Sequence, residues 1–475
     1  MEDEKTKLLD KEELHAKPRW QRRGNRRWSI VLILGLALAA ILLSQVTDII
    51  SIPSSLSHHR KKFNLYEHLG HRSPIFVPPN TPASLHSGTP PDCTVSKAFL
   101  IHRHGSRHPH ASELAVVDHL SSYIATHRTL FSHPRAHPPH SWAFLAQGSW
   151  DGSFFHTDHL TASGRKQLFD HGVALRLHHP SLYTDSHVVA GDEDRVVESA
   201  RWFMDGYYGR ASNATASLRV VGEGADTVSW ITPHASCPRW SERLGEDVLP
   251  RWREVYLPPI AARINRALGK AYPGVGFTAE HVQGMFYACA YGTAVQGIGS
   301  SPWCEVFLPR EILENEYESD LLMRGFAGYG LPGDMGAVLG SLLVGNVTAF
   351  LQSGEAPNLS LGFGHDKTIA MGLTALGLAF DKAYPVEGPV DPKRAWRAAK
   401  QMPFAASMFW KRLECKHKDR IQLVLDGANF GLGPTGCKTD KYGTCALEDF
   451  VSTGKVQAAL NFRHGDDRWR EACLV

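Results

Sequence analysis

The sequence predicts an α/β fold carried behind a single N-terminal membrane span. Three observations lead there: short apolar runs that end in chemistry-bearing residues, a helical pattern after such runs, and one uncharged stretch long enough to cross a bilayer. The runs are "KAFLIHR" ending at Arg103, "SHVVAGD" at 186–192 and "LSLGFGHD" at 359–366. Each is too short for a helix of its own and reads as a buried strand. A helix is predicted around Arg195 to Tyr208 after the second run, and over "KTIAMGLTALGLAF" after the third. "LTASGRKQLFDHGVALRLHH", from Leu160, is also helical, with Thr161 as its N-cap. Strand followed by helix sends the strand C-termini to one edge, where α/β proteins keep their chemistry. Residues near 110–185 and 230–300 carry more helix and loop signals and predict a smaller, mainly helical insertion.

From the N-terminus, residues 1–27 form a polar tail and 28–46, from Trp28 to Val46, contain no charge. That length spans a hydrocarbon core of about 30 Å. Six Lys/Arg and no acid lie between Lys17 and Arg27, which keeps the tail cytosolic and sends the rest to the lumen or the outside. The expectation is a single-pass type II membrane protein of the secretory pathway; a cleaved signal peptide, with "ALA" at 37–39 as its site, is the alternative. Vacuole, cell surface and release by cleavage all stay open. "EKTKLL" in the tail resembles a vacuolar or endosomal sorting signal, and "HHRKK" in the stem, residues 47–63, is a linker or a processing site. Residues 64–475 form the folded region. Its first stretch, 74–91, holds six prolines and is a loop or an extended wrap.

The formal net charge is +3, and the tail supplies all of it with nine Lys/Arg against six Asp/Glu. The folded part is therefore neutral, which excludes a nucleic-acid binder. All eight cysteines follow the span, as do the sequons at Asn213, Asn346 and Asn358. Both place the region in an oxidising compartment. Close spacing pairs Cys289 with Cys304 and Cys437 with Cys445. "GYGLPG" at 328–333 matches GxGxxG, but it follows a helical stretch and has Pro where a helix should open, so it is no dinucleotide loop.

"LIHRHGSRHPH", 100–110, packs four histidines and two arginines with no carboxylate. Fixed guanidinium charge disfavours a metal there. An idle basic loop does not follow directly from a buried strand. An anion site fits: Arg103 and Arg107 offer planar forks to phosphate, and a histidine between them, kept neutral by their charge, can attack it. His365 and Asp366 supply a further ligand and a proton donor, and Arg195 a third guanidinium.

These segments together resemble the histidine acid phosphatases, in the phosphoglycerate-mutase-like superfamily, and their fungal phytase and acid phosphatase branch in particular. "RHGSRHP" matches the RHGxRxP signature, "LTASGRKQL" is similar to LTxxGxxQL, and "DRVVESARWFMDGY" and "FGHD" look like the second-arginine helix and the proton-donor motif. The resemblance covers about 64–475. It implies a three-layer α/β sandwich with a smaller helical inserted domain, His104 as nucleophile, Asp366 as general acid, and Arg103, Arg107, Arg195 and His365 as phosphoryl ligands. It also implies the bridges Cys93–Cys415 and Cys237–Cys473 beside the two close pairs. No metal and no cofactor are called for, and no protein partner is inferable. The expected activity is hydrolysis of phosphate monoesters at acidic pH. Phytase is the alternative, and an inactive phospho-ligand-binding membrane protein is the alternative of another class. Mutases of the superfamily work on cytosolic metabolites, which the anchor and the cysteines disfavour. The sequence departs from the phytases at His108 and His110, and it has Glu113 where they carry lysines, which disfavours phytate. Asp366 separates it from the inositol polyphosphate phosphatases, which carry HAE.

Overall fold

The computed structural model describes residues 63–474, apart from 149, 184–186 and 211. The tail, the span at 28–46 and all of the stem but Phe63 lie outside the described residues.

The strands are β1 (Cys93–Arg103), β2 (His187–Gly191), β3 (Ser217–Val221), β4 (Leu359–Gly364), β5 (Ser407–Cys415), β6 (Arg420–Leu425), β7 (Ala428–Phe430) and β8 (Cys445–Ala446). The longer helices are α1 (Ala111–Thr126), α2 (Ala162–His178), α3 (Asp194–Tyr208), α4 (Leu249–Leu268), α5 (Ala279–Gln296), α6 (Pro309–Ala327), α7 (Met335–Gln352) and α8 (Asp366–Ala375). The sheet runs β3-β2-β4-β1-β5-β6-β7, with β8 beside β6. Its first four strands are parallel, and β5 to β8 are antiparallel. The antiparallel half is absent from the sequence reading, which rested on strand followed by helix. Its signal was nonetheless present: Asp426 and Gly427, both at positive φ, form the two-residue turn between β6 and β7.

β1 lies at the centre and is apolar on both faces, as a strand covered twice must be. Phe99 and Ile101 pack with Leu339 and Leu343 of α7 and Ile369 of α8. Ala98 and Leu100, one residue out of phase, pack with Leu168 of α2 and Phe203 of α3. Helices on both faces make the α/β sandwich. A third core joins Val117 and Leu120 of α1, Trp252 and Ile260 of α4, Phe286 of α5 and Tyr317 and Leu321 of α6. The stretch 110–185 therefore divides: α1 belongs to the helical core and α2 to the sheet. The helical core also runs on past 300 through α6. Pro332–Gln352 is long and apolar enough to cross a bilayer, yet its Leu339, Leu343, Val347 and Leu351 are fully packed in the sandwich.

Cys93 is joined to Cys415 across the β1–β5 pair, Cys237 to Cys473, Cys289 to Cys304 and Cys437 to Cys445. Bridges of this kind contribute about 2–4 kcal/mol each. Asn358 is exposed in the loop before β4. Asn346 is exposed on α7, where its amide donates to Leu342 O. Asn213 falls in a short helix, Ser212–Thr215.

Candidate active site

The parallel strands β3, β2, β4 and β1 end along one edge of the sheet. His104 follows β1, His365 and Asp366 follow β4, Arg195 opens α3 just after β2, and Glu223 follows β3. The backbone of His104 is tied on both sides: its N–H donates to Gly364 O at 3.0 Å, and its carbonyl accepts from Ala405 N at 3.0 Å.

The turn from His104 to Arg107 is gripped by the start of α2, which explains Thr161, Gly164 and Gln167 of "LTASGRKQL". Thr161 caps α2 by accepting from Gly164 N at 3.0 Å, and its hydroxyl donates to Ser106 O at 3.0 Å. Gln167 Oε1 accepts from Ser106 N at 2.9 Å. Gly164 is required by contact, since a Cβ there would lie 2.2 Å from Ser106 O. Ser199 of α3 closes the grip by accepting from Gly105 N at 3.1 Å.

His104 Nδ1 sits 2.9 Å from Gly105 O. A carbonyl only accepts, so Nδ1 carries the proton and Nε2 keeps its lone pair. Burial, followed by Arg103, Arg195, His365 and Arg107, pushes the ring's pKa well below its ordinary value. Burial, which the sequence reading left out, is the larger cause. The neutral form of the ring is thereby favoured.

A cavity of about 770 Å³ collects His104, Arg107, Arg195, His365 and Asp366. Arg103 is not on its wall. It is fully buried, donates to Met402 O at 2.7 Å and to His71 O, and pairs with Asp366 Oδ2 at 2.9 Å. Burial alone would raise the pKa of Asp366, but Arg103, His71, Lys367 and His365 outweigh it and hold the carboxyl below its ordinary range. The pairing with Arg103 favours the ionised form of Asp366. Phe404 carries both motif arginines over its ring, Arg103 at 4.7 Å and Arg107 at 5.9 Å. Arg195 pairs with Glu193 and lies 3.9 Å from Asp158, which also holds His110. His108 accepts from His156 N at 3.1 Å through Nδ1 and is buried.

Several site residues were not found by sequence reasoning. Arg72 lies in the cavity wall with its Nε donating to Glu113 Oε1 at 2.9 Å. Glu113 also faces Arg107 at 3.5 Å, accepts from the Tyr291 hydroxyl, and caps α1 through His110 N at 2.9 Å. Glu113 is thus a buried carboxylate of the cavity wall, paired with Arg72 and Arg107. Burial opposes its ionisation, but Arg72 and Arg107 dominate and hold its pKa well below the carboxylate range. The only sequence signal was an acid in the first turn of a helix. Glu193, Glu223 and His365 bring donor atoms within 4.8 Å of one another, which is metal-ligand spacing. Glu193 is already paired with Arg195 and Glu223 with His365, so a cation entering there would have to displace both.

A neutral histidine with a bare Nε2, arginines around it and a carboxyl across the cavity define a histidine phosphatase. The sequence model of the histidine phosphatase superfamily (branch 2) matches residues 94–426, and the chain belongs to that family. It is 26% identical over 422 residues to a thiamine-repressible acid phosphatase of Schizosaccharomyces pombe, covering 83% of this chain and 88% of that protein. It is 25% identical over 432 residues to phytase A of Arthroderma benhamiae, covering 83% and 89%. The fold is similar to the crystal structure of the phytase from D. castellii, with a TM-score of 0.75, 20% identity, and coverage of 89% of this chain and 92% of that one.

Proposed function

We propose that this chain hydrolyses phosphate monoesters at acidic pH through a phosphohistidine on His104. The observation that carries the reading is the His104 ring itself: buried, protonated on Nδ1 and open at Nε2 in an arginine-lined cavity. Nε2 attacks phosphorus as the bond to the ester oxygen breaks, and Asp366 gives that oxygen its proton. Water then attacks the phosphohistidine, the P–N bond breaks, Asp366 takes the proton, and inorganic phosphate leaves. Arg107, Arg195 and His365 hold the phosphoryl oxygens. Arg103 joins them when phosphate competes with Asp366 for its guanidinium, which frees the carboxyl to be protonated. p-Nitrophenyl phosphate assayed with a chelator present tests this. Turnover on the acid side, with alkali-quenched protein holding phosphate on nitrogen, is the expected result. Phosphate binding without turnover would mean an inactive phospho-ligand binder.

Several relatives are phytases, so inositol hexakisphosphate is the second substrate reading. The cavity wall favours simple esters. It carries Arg72, Arg107, Arg195, Arg253 and Lys367 against Glu113, Asp158, Glu193, Glu242, Glu246 and Asp366, a balance that does not suit a polyanion. Phosphate release from phytate and from simple esters, measured side by side, decides between them.

The organisation proposed with this activity is a cytosolic tail at 1–27, an anchor at 28–46, a stem at 47–63 and a lumenal or extracellular catalytic region at 64–475. Four disulfides support an oxidising compartment. Protection of the catalytic region from protease in sealed microsomes tests the topology. Mobility shifts of Asn213, Asn346 and Asn358 variants test the glycans.

A further inference from the structure

His365 does not stand alone. Its Nε2 lies 2.8 and 3.1 Å from the two carboxylate oxygens of Glu223, which arrives from the loop after β3. Both side chains are largely buried, at 4% and 13% exposure, so the contact is not a screened surface pair. The loop is set for it, because Glu223 N donates to Asp192 Oδ1 at 3.1 Å. The slot is also set: a Cβ on Gly191, the last residue of β2, would fall 1.8 Å from Glu223 Oε1. The φ of Gly191 is not in the left-handed region, so the glycine serves space and not backbone conformation. A carboxylate only accepts, so Nε2 must be the protonated nitrogen.

We propose that Glu223 is a positioning residue for the phosphoryl site: through the slot at Gly191 it fixes the His365 ring and occupies Nε2–H, leaving Nδ1 as the nitrogen available to phosphate. The proposal rests on the phosphatase reading and adds to it a residue that never touches substrate. An imidazole free to rotate would present either nitrogen, or neither, to the phosphoryl oxygens; a ring locked by its far nitrogen presents one.

The test uses the full folded region, with p-nitrophenyl phosphate as substrate and inorganic phosphate as competitive inhibitor. Glu223→Ala should lower kcat/KM about tenfold, mostly through KM, and weaken phosphate inhibition in parallel. In a His365→Ala background the same replacement should change either quantity by less than about twofold, because its route is gone. Gly191→Ala should reproduce the loss in the wild type and be silent in the Glu223→Ala background. It carries the same test should Glu223→Ala fail to fold. Losses that add independently of His365, in an active wild type, overturn this inference alone. An inactive wild type overturns the phosphatase reading and this inference with it.

Discussion

His104, Arg107, Arg195, His365 and Asp366 reach the cavity from strand ends, each inside a motif a few residues long. Arg72 and Glu113 line it from two other segments, with Tyr291 bonded to Glu113 and Glu223 bonded to His365. The first set forms the floor and the second the wall. Floor positions are fixed by the sheet: His104 is hydrogen-bonded to the residues that end β4 and precede β5, and α2 clamps the turn behind it. Wall positions are fixed by side chains pairing with each other. Damage to the floor should therefore remove chemistry and leave the fold, whereas damage to the wall should unbalance charge and stability.

His104→Ala is the hardest test of that division. Loss of a covalent nucleophile should lower kcat by roughly a thousandfold or more. The far-ultraviolet dichroism and the thermal midpoint should stay close to wild type. Activity within tenfold of wild type would remove His104 from the nucleophile role. Asp366→Asn comes next. It should lower kcat about a hundredfold for alkyl phosphates, whose leaving oxygen needs a proton, and much less for p-nitrophenyl phosphate. The working form is the protonated acid, so kcat in the wild type falls as pH rises, and this variant should flatten that limb. Equal losses on both substrates would leave the donor elsewhere.

On the wall, Glu113→Ala leaves the buried Arg72 and Arg107 without their carboxylate. Removing one side of a buried pair typically destabilises by about 3 kcal/mol. The double variant Arg72→Met, Glu113→Met should recover most of that loss, since an apolar pair of similar volume replaces the ions. Denaturant midpoints of the single and double variants measure this; equal destabilisation in both would show that packing, and not charge, sets the wall.

The same division explains what the sequence disclosed. The helices α2, α3 and α8 and the strands before the site were legible because cap, period and motif are local. The burial of Glu113 was not legible because two of its partners are distant: Arg72 lies 41 positions away and Tyr291 178. Nothing within a short window says that an acid in the first turn of a helix will be buried against them. The antiparallel strands were missed for another reason. β5 and β6 have no helix after them to complete the pattern, and the two-residue turn at Asp426 is a weak signal until its neighbours are seen as strands. Glu223 sits among glycines and small polar residues, where only the space left at Gly191 reveals its purpose.

The smallest expected effect concerns the ground beneath the floor. His102, on β1, is buried beside His171 with Nε2 2.9 Å from the other ring's Nδ1, and its own Nδ1 is 2.9 Å from Arg103 O. Its ring stacks on Phe363 and meets the edge of Phe203. Burial, then His171, lowers its pKa to about 3 from an ordinary 6.5. The folded protein thus binds fewer protons here than the unfolded chain between those two values. Stability rises with pH wherever the unfolded state holds more protons, so this group's contribution is complete above about 6.5 and is lost progressively as pH falls toward 3. The burial that keeps His104 neutral for acid catalysis therefore works against the fold in acid. His102→Phe removes one such group and keeps a ring against Phe363. It should start with a lower thermal midpoint at pH 7, having lost two hydrogen bonds. It should then lose less than the wild type between pH 7 and pH 4, by a difference of about a few degrees for a chain of this size. Parallel declines would show that His102 takes up its proton in the folded chain as readily as in the unfolded one over that window, and the acid sensitivity would have to lie with other buried histidines such as His281, lowered to about 4 by burial and by His119.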